Sequence, residues 1–315
     1  MIPAVNVLLV SFGLVLAGPR ALNRLTRSGR HPLSAIAAWQ AASWSVVGGI
    51  VLAATMVAAP SLHAVGWVPA WLEACLGATD HMHGPADNQL VHTVALLLLA
   101  GVLFRLAGCG GRAWWVTHSV RARHRALLRL VGRHEPRLDA RVVDDDTAAV
   151  YCLPGRRGCV VFTSGALGRL SGAQRCAVVA HERAHLRGRH DLLVASAALL
   201  RTAFPRVRLF DQAWRQTVAL IEMRADDIAA RRHGRRPLAE ALVVLADMTS
   251  PQSALGAAGT TTTMRVERLL TQPAMQRPST LRGFVHSTAM AGATALLVAS
   301  PVLLAAASHA VLCPS

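Results

Sequence analysis

The most informative part of the sequence is the stretch Ser171-Gly-Ala-Gln174-Arg-Cys-Ala-Val-Val-Ala-His181-Glu182-Arg-Ala-His185. Ser171 and Gln174 have the spacing of a capping box, and the apolar residues after them follow helical periodicity. We therefore predict that both histidines lie on one helix. Four residues of helix rotate by about 400°, so the two imidazoles leave the same face and could share one zinc ion.

Glu182 is the candidate general base of this motif. Its side chain would lie beside the face of the two histidines without ligating the metal. There it could take a proton from a water on the metal and pass it to a leaving amine, which is the chemistry of a His-Glu-x-x-His zinc hydrolase. The alternative is the charged face of a basic surface helix, which needs no metal.

A third ligand would distinguish these interpretations, because a tetrahedral catalytic zinc site has three protein ligands and one open position. The best candidate is Glu222, in a segment predicted as a helix that Asp211 caps and Gly234 ends. Asp226, one turn beyond Glu222, could accept the spare ring N–H of a zinc-bound histidine. Asp227 would point elsewhere, as a surface charge. The alternative for Glu222 and Asp226 is an ordinary exposed acidic pair.

Together these residues resemble those of the integral-membrane gluzincin peptidases. That group includes the BlaR/MecR-type antibiotic-signalling metallopeptidases and the HtpX and CAAX-prenyl endopeptidases. The resemblance rests on the His181-Glu-x-x-His185 motif, on Asp191 six residues beyond it, and on Glu222-Met-Arg-Ala-Asp226. It implies a zinc endopeptidase in which the two histidines and Glu222 hold Zn2+ and Glu182 is the general base.

The composition indicates an integral membrane protein with a basic soluble part. The 315 residues are 53% hydrophobic, yet the formal net charge is +16 and the pI is about 11.5. All 33 basic residues are Arg. No RNA- or DNA-binding motif accompanies this charge, so we expect membrane orientation and genomic base composition to account for it, rather than direct nucleic-acid binding.

Four membrane spans are predicted, at about residues 2–17, 34–59, 90–107 and 284–307. Arg is abundant after the first and third spans and absent from residues 60–89, which places the Arg-rich regions in the cytoplasm. We expect a multi-pass protein of the cell membrane with both termini outside. Its fold class would be mainly α, with an α+β zincin-like domain between spans three and four. The predicted domains are 1–110 (three spans), 111–283 (cytoplasmic peptidase) and 284–315 (fourth span and outer tail).

Four further predictions concern the peptidase region. Two β-prone runs, 147–153 and 158–164, should form a hairpin before the zinc helix. Peptidases resembling this one bind substrate along an edge strand, which we place at residues 160–163. The basic amphipathic stretch 114–137 should lie along the inner membrane surface or link the third span to the domain. Asp191 could brace the zinc helix or cap the next one.

Weaker signals lie outside this region. His81 and His83 in the outer loop could hold a metal, but incidental histidines in a solvated loop are the preferred interpretation. The cytoplasmic cysteines should be reduced, and their spacing matches no structural zinc site. Cys75 and Cys313 would both face outside, where they could pair or remain free thiols. The Gly/Ala/Thr-rich residues 250–263 could be a region of self-cleavage.

The expected function is cleavage of cytoplasmic proteins by a membrane-embedded zinc endopeptidase. Three spans before the catalytic region and one after it favour the BlaR/MecR arrangement, in which cleavage inactivates a DNA-binding repressor, here of the winged-helix type. Only a few residues follow the fourth span, so the penicillin-binding sensor domain of those receptors is not expected. Two alternatives stay open: quality control of membrane proteins, and a non-catalytic receptor with a metal-stabilised domain.

Overall fold

The computed structural model describes residues 2–26, 31–64, 89–155, 158–249 and 258–271. Its helices are α1 (Ile2–Thr26), α2 (Pro32–Ala64), α3 (Gln89–Val131), α4 (Ser164–Arg169), α5 (Gly172–Arg187), α6 (His190–Ala203), α7 (Arg208–His233), α8 (Arg235–Thr249) and α9 (Ala258–Thr271). Its strands are β1 (Arg133–Glu135), β2 (Ala140–Val143), β3 (Val150–Leu153) and β4 (Cys159–Thr163).

Among the described residues, three helices are long and apolar enough to cross a membrane, over Ala4–Thr26, Pro32–Ala58 and Gln89–Val131. They contain almost all of the first three predicted spans and support a membrane protein. The fourth predicted span lies outside the described residues. So do His81, His83, Cys75 and Cys313, and most of the region suggested for self-cleavage.

Helix α3 continues from the third predicted span into the predicted peptidase region. It is a single helix of 43 residues, about 64 Å long at 1.5 Å per residue, which is roughly twice the thickness of a hydrocarbon core. Arg141 on β2 stabilises its end by donating to the carbonyls of Leu128 and Gly132, at 3.2 and 3.3 Å. The amphipathic stretch from residue 114 therefore links span to domain, the second of its two predicted roles.

Helices α6 and α7 pack against α1 and α2 through a shared apolar core. Trp39 on α2, Leu200 on α6 and Leu209 on α7 are fully buried there. Gln40 Nε2 donates to the carbonyl of Leu193 at 2.9 Å, which adds a polar contact between α2 and α6. Burial of this much apolar surface fixes α6 and α7 to the candidate membrane helices α1 and α2.

The four strands form one mixed sheet in the order β1-β2-β4-β3. The predicted hairpin is confirmed, because β3 and β4 pair antiparallel with Cys152 opposite Val160. The predicted edge at 160–163 is wrong, since β4 also pairs with β2, in parallel. The continuous apolar run of β4 suits an interior strand buried on both faces. The edge strand on this side of the described sheet is β3.

Candidate metal centre

Helix α5 carries the two motif histidines and begins as the sequence predicts. Ser171 Oγ accepts from the Gln174 amide at 3.3 Å, and Gln174 Oε1 accepts from the Ser171 amide at 2.9 Å, which completes the capping box. Apolar residues anchor the helix on both sides of its axis, and the side chain of His181 is buried with them. The motif therefore does not lie on a charged surface face.

Helix α7 carries the candidate third ligand. It ends before Gly234, which has a φ of +88°, as predicted. It begins at Arg208, however, and Asp211 lies in its first turn, where its carboxylate oxygens are 3.0 Å from Arg201 and 3.0 Å from Arg215. The predicted cap at Asp211 is wrong because the buried side chain of Leu209 anchors an earlier turn.

The structure brings His181, His185 and Glu222 together. The Nε2 atoms of the two histidines lie 3.1 Å apart. Each is 3.5 Å from a Glu222 carboxylate oxygen, Oε2 for His181 and Oε1 for His185. Ligand atoms about 2.0–2.2 Å from a tetrahedral zinc ion lie about 3.3–3.6 Å from each other. Both histidine–glutamate distances fall in this range, and the histidine–histidine distance is 0.2 Å below it, so the three donors fit a zinc ion after a small separation of the two rings.

Asp226 lies behind His181, on the side away from the converging Nε2 atoms. Its Oδ1 atom is 3.0 Å from His181 Nδ1, and the Asp226 side chain is fully buried. Arg265 on α9 donates to both Asp226 oxygens, from Nε at 2.8 Å and from Nη2 at 2.7 Å. Its Nη1 is 3.0 Å from Glu222 Oε2. Glu222 and Asp226 thus form a paired cluster, not an exposed acidic pair, and sequence reasoning gave Arg265 no role in it.

Asp227 is not the surface charge that the sequence predicted. Its two oxygens accept from Arg268 Nη2 at 2.9 and 3.1 Å, and both side chains are largely buried. The pair joins α7 to α9 one residue beyond the metal cluster. Packing of α9 on α7, which brings these distant residues together, has no signal in the local sequence around Asp227.

Burial and charge together set the protonation of these groups. Burial disfavours the charged form of His181, but its contacts with Asp226 and Glu222 outweigh this and raise its pKa to about 9. Burial also disfavours ionised Asp226, yet the hydrogen bonds from Arg265 and the contact with His181 lower its pKa to about 2. For His185, burial dominates and lowers the pKa to about 4. The two histidines therefore differ because only His181 has a carboxylate behind its ring.

Glu182 is half-buried beside the cluster, and burial raises its pKa. Its carboxylate lies close to the Cys152 thiol, and burial followed by the nearby Glu182 charge raises the pKa of Cys152 to about 12. Cys152 belongs to β3, so the candidate base lies directly next to the edge strand of the sheet. Sequence reasoning missed this neighbour, because nothing in a β-prone run shows which strand will face α5.

His190 is a second neighbour that sequence reasoning missed. It begins α6, is 2% exposed, and its Nδ1 lies 3.1 Å from Nδ1 of His185. Asp191, the next residue, has neither predicted role: it lies in the first turn of α6, and its Oδ2 accepts from Arg121 Nη1 on α3 at 3.0 Å. It therefore ties α6 to α3.

Comparison with known proteins agrees with this geometry. No curated protein and no solved structure matches the chain significantly. Residues 115–220 match the model of Peptidase family M48. The match includes His181, Glu182 and His185 but ends two residues before Glu222, so the third ligand rests on the structure. Residues 115–220 are therefore similar to peptidase family M48, and this similarity supports a metallopeptidase.

Proposed function

We propose that the protein is a zinc endopeptidase of the cell membrane that cleaves cytoplasmic protein substrates. The observation that carries the proposal is the convergence of two histidine nitrogens and the Glu222 carboxylate, with Glu182 beside them. A non-catalytic receptor would not need a carboxylate next to the donor set at the edge strand of the described sheet.

His181, His185 and Glu222 would hold the ion, which when bound polarises a peptide carbonyl and makes a water molecule more acidic. Glu182 accepts the proton of the attacking water and delivers it to the amine that leaves. Asp226 orients the His181 ring, and Arg265 holds both acidic side chains of α7 in place. The carboxylates of Glu182, Glu222 and Asp226 and the guanidinium of Arg265 surround the site. Their combined charge of −2 balances that of a divalent ion.

We propose that the substrate binds as an extra strand along β3. Ala149 accepts from the Thr163 amide at 3.1 Å, and antiparallel pairs alternate, so the backbone groups of Val150 and Cys152 face away from β4. A peptide hydrogen-bonded there would pass Glu182, which contacts the Cys152 side chain. Recognition through backbone groups tolerates varied side chains, as a protein substrate requires.

We place the site on the cytoplasmic side because the Arg-rich regions of the chain surround it. Residues 284–307 would form the fourth span, leaving both termini outside. The domain boundaries at residues 110 and 283 are part of the same proposal.

A signalling role is favoured by α3. The helix leaves the candidate span and contacts the substrate edge directly, since His124 lies 2.8 Å from the Tyr151 hydroxyl and Arg125 donates to the carbonyl of Pro154 at 2.6 Å. A shift of this span would therefore reach β3 through a continuous helix. Within this proposal the substrate is a transcriptional repressor, of the winged-helix type, whose cleavage ends repression.

The test uses the full chain in detergent micelles, incubated with the small repressors and membrane proteins of its own cell. Wild type, Glu182→Gln and the control Glu240→Gln, on the exposed part of α8, are compared after zinc loading and after chelation. We expect fragments from wild type and the control only, with zinc bound by all three. Repressor fragments favour signalling, and membrane-protein fragments favour quality control. Cleavage by Glu182→Gln, or a wild type without zinc, would contradict the proposal.

A further inference from the structure

The ring of His190 is buried against a candidate zinc ligand. His190 Nδ1 faces His185 Nδ1 at 3.1 Å, on the side of the His185 ring opposite the Nε2 atom that points to Glu222. The other nitrogen of His190, Nε2, is buried without a hydrogen-bond partner among the described residues. Two nitrogens at this distance form a hydrogen bond when one carries a proton and the other a lone pair.

Ligation of zinc by His185 fixes which nitrogen of its ring carries the proton. If His185 ligates through Nε2, its ring is neutral and its Nδ1 carries a hydrogen. His190 Nδ1 must then be the acceptor, which makes His190 the neutral Nε2–H tautomer. The ligand His181 has the Asp226 carboxylate in the corresponding place, so the two ligands have acceptors of different charge.

The local backbone is shaped to bring His190 to this position. A Cβ atom at Gly188 would lie 2.5 Å from His190 Nε2 and 2.6 Å from its Cδ2, so the ring occupies space that only glycine leaves free. Arg189 has a φ of +45°, a left-handed conformation that is costly for a residue with a side chain. This turn between α5 and α6 folds the His190 ring back onto the last turn of α5.

We propose that His190 is a positioning residue for the zinc ligand His185: it accepts the His185 Nδ1–H and thereby fixes the tautomer and orientation of that ligand. The inference rests on the proposed zinc site. It assigns His190 no contact with substrate. A neutral acceptor here also leaves the balance between the ion and the surrounding carboxylates unchanged.

The experiment compares His190→Asn with His190→Leu in the full chain. The two replacements are similar in size, but Asn Oδ1 can accept where Nδ1 did and Leu cannot. Zinc affinity is measured by competition with a chelating dye, after confirming that wild type binds one ion. We expect His190→Leu to lose affinity by about 10–100-fold, the usual effect of removing such an acceptor, and His190→Asn to recover most of it. Equal losses in both variants, or no loss in His190→Leu, would overturn the inference.

A second measurement needs no variant and therefore does not depend on the folding of His190→Leu. Nitrogen chemical shifts of ¹⁵N-histidine-labelled, zinc-loaded wild type should show His190 unprotonated at Nδ1 and protonated at Nε2. A proton on Nδ1 of His190 would refute the assignment. Failure of wild type to bind zinc would instead refute the proposed function, so the two failures can be told apart.

Discussion

The guanidinium of Arg265 on α9 holds the fully buried carboxylate of Asp226 on α7 through two hydrogen bonds, of 2.8 and 2.7 Å. The two residues are 39 positions apart in the chain. Such bidentate pairs have defined geometry as well as strong attraction. Because Asp226 also contacts His181, the position of α9 is coupled to the orientation of a candidate zinc ligand.

Replacing Arg265 by Leu should therefore destabilise the protein. Asp226 would be left as a buried charge without its partner, which typically costs about 3–5 kcal/mol of unfolding free energy. Arg236→Leu is the matched control, because Arg236 is 86% exposed in its pair with Glu240, and such pairs contribute about 1 kcal/mol or less. Chemical unfolding of the metal-free forms measures both. Equal changes in the two variants would contradict the role given to Arg265.

The neighbours Asp226 and Asp227 should behave differently when each is replaced by Asn. Asp226→Asn weakens the acceptor behind His181, so zinc affinity should fall by about 10–100-fold. Asp227→Asn breaks only the pair with Arg268 and should lower stability while leaving zinc affinity close to that of wild type. Chelator competition and thermal unfolding separate the two effects. A large loss of zinc affinity in Asp227→Asn would show that the cluster extends further than proposed.

Substrate pairing along β3 predicts a backbone effect at Cys152. Cys152→Pro removes an amide N–H that faces the free edge, a position where an edge strand tolerates proline. Cleavage should be lost through a higher KM, whereas Cys152→Ala keeps the N–H and should remain active. Circular dichroism checks that the proline variant is folded. Unchanged KM in a folded Cys152→Pro protein would mean that the substrate binds elsewhere.

The thiols of Cys152 and Cys176 should differ in their rates of alkylation. The pKa of Cys152 is raised to about 12, so at pH 8 it remains a protonated, poorly nucleophilic thiol, while the fraction of thiolate grows only as the pH approaches that value. Cys176 is exposed and should be alkylated first. Mass spectrometry after brief iodoacetamide treatment gives the order. Faster labelling of Cys152 than of Cys176 would be inconsistent with the burial seen here.

The features that the sequence by itself determined lie within single helices. The capping box at Ser171 and the spacing of His181 and His185 depend on one helix, whose geometry is the same wherever the helix lies. The same holds for the spacing of Glu222 and Asp226, which lie one helical turn apart, and for the apolar runs that form the candidate membrane helices. These patterns are enough to predict the type of site and the membrane class of the chain.

Only the tertiary structure decided which side chains from other helices and strands contact the site. Arg265 reaches Asp226 through the packing of α9 on α7. In the described sheet, β3 rather than β4 is the edge strand because β2 pairs with β4 and not with β3, which follows it in sequence. His190 follows His185 closely, yet helical periodicity stops at Gly188 and a left-handed residue at Arg189 turns the chain back. Residue spacing gives the angles within one element, whereas contacts between elements depend on packing that the pattern within one element does not contain.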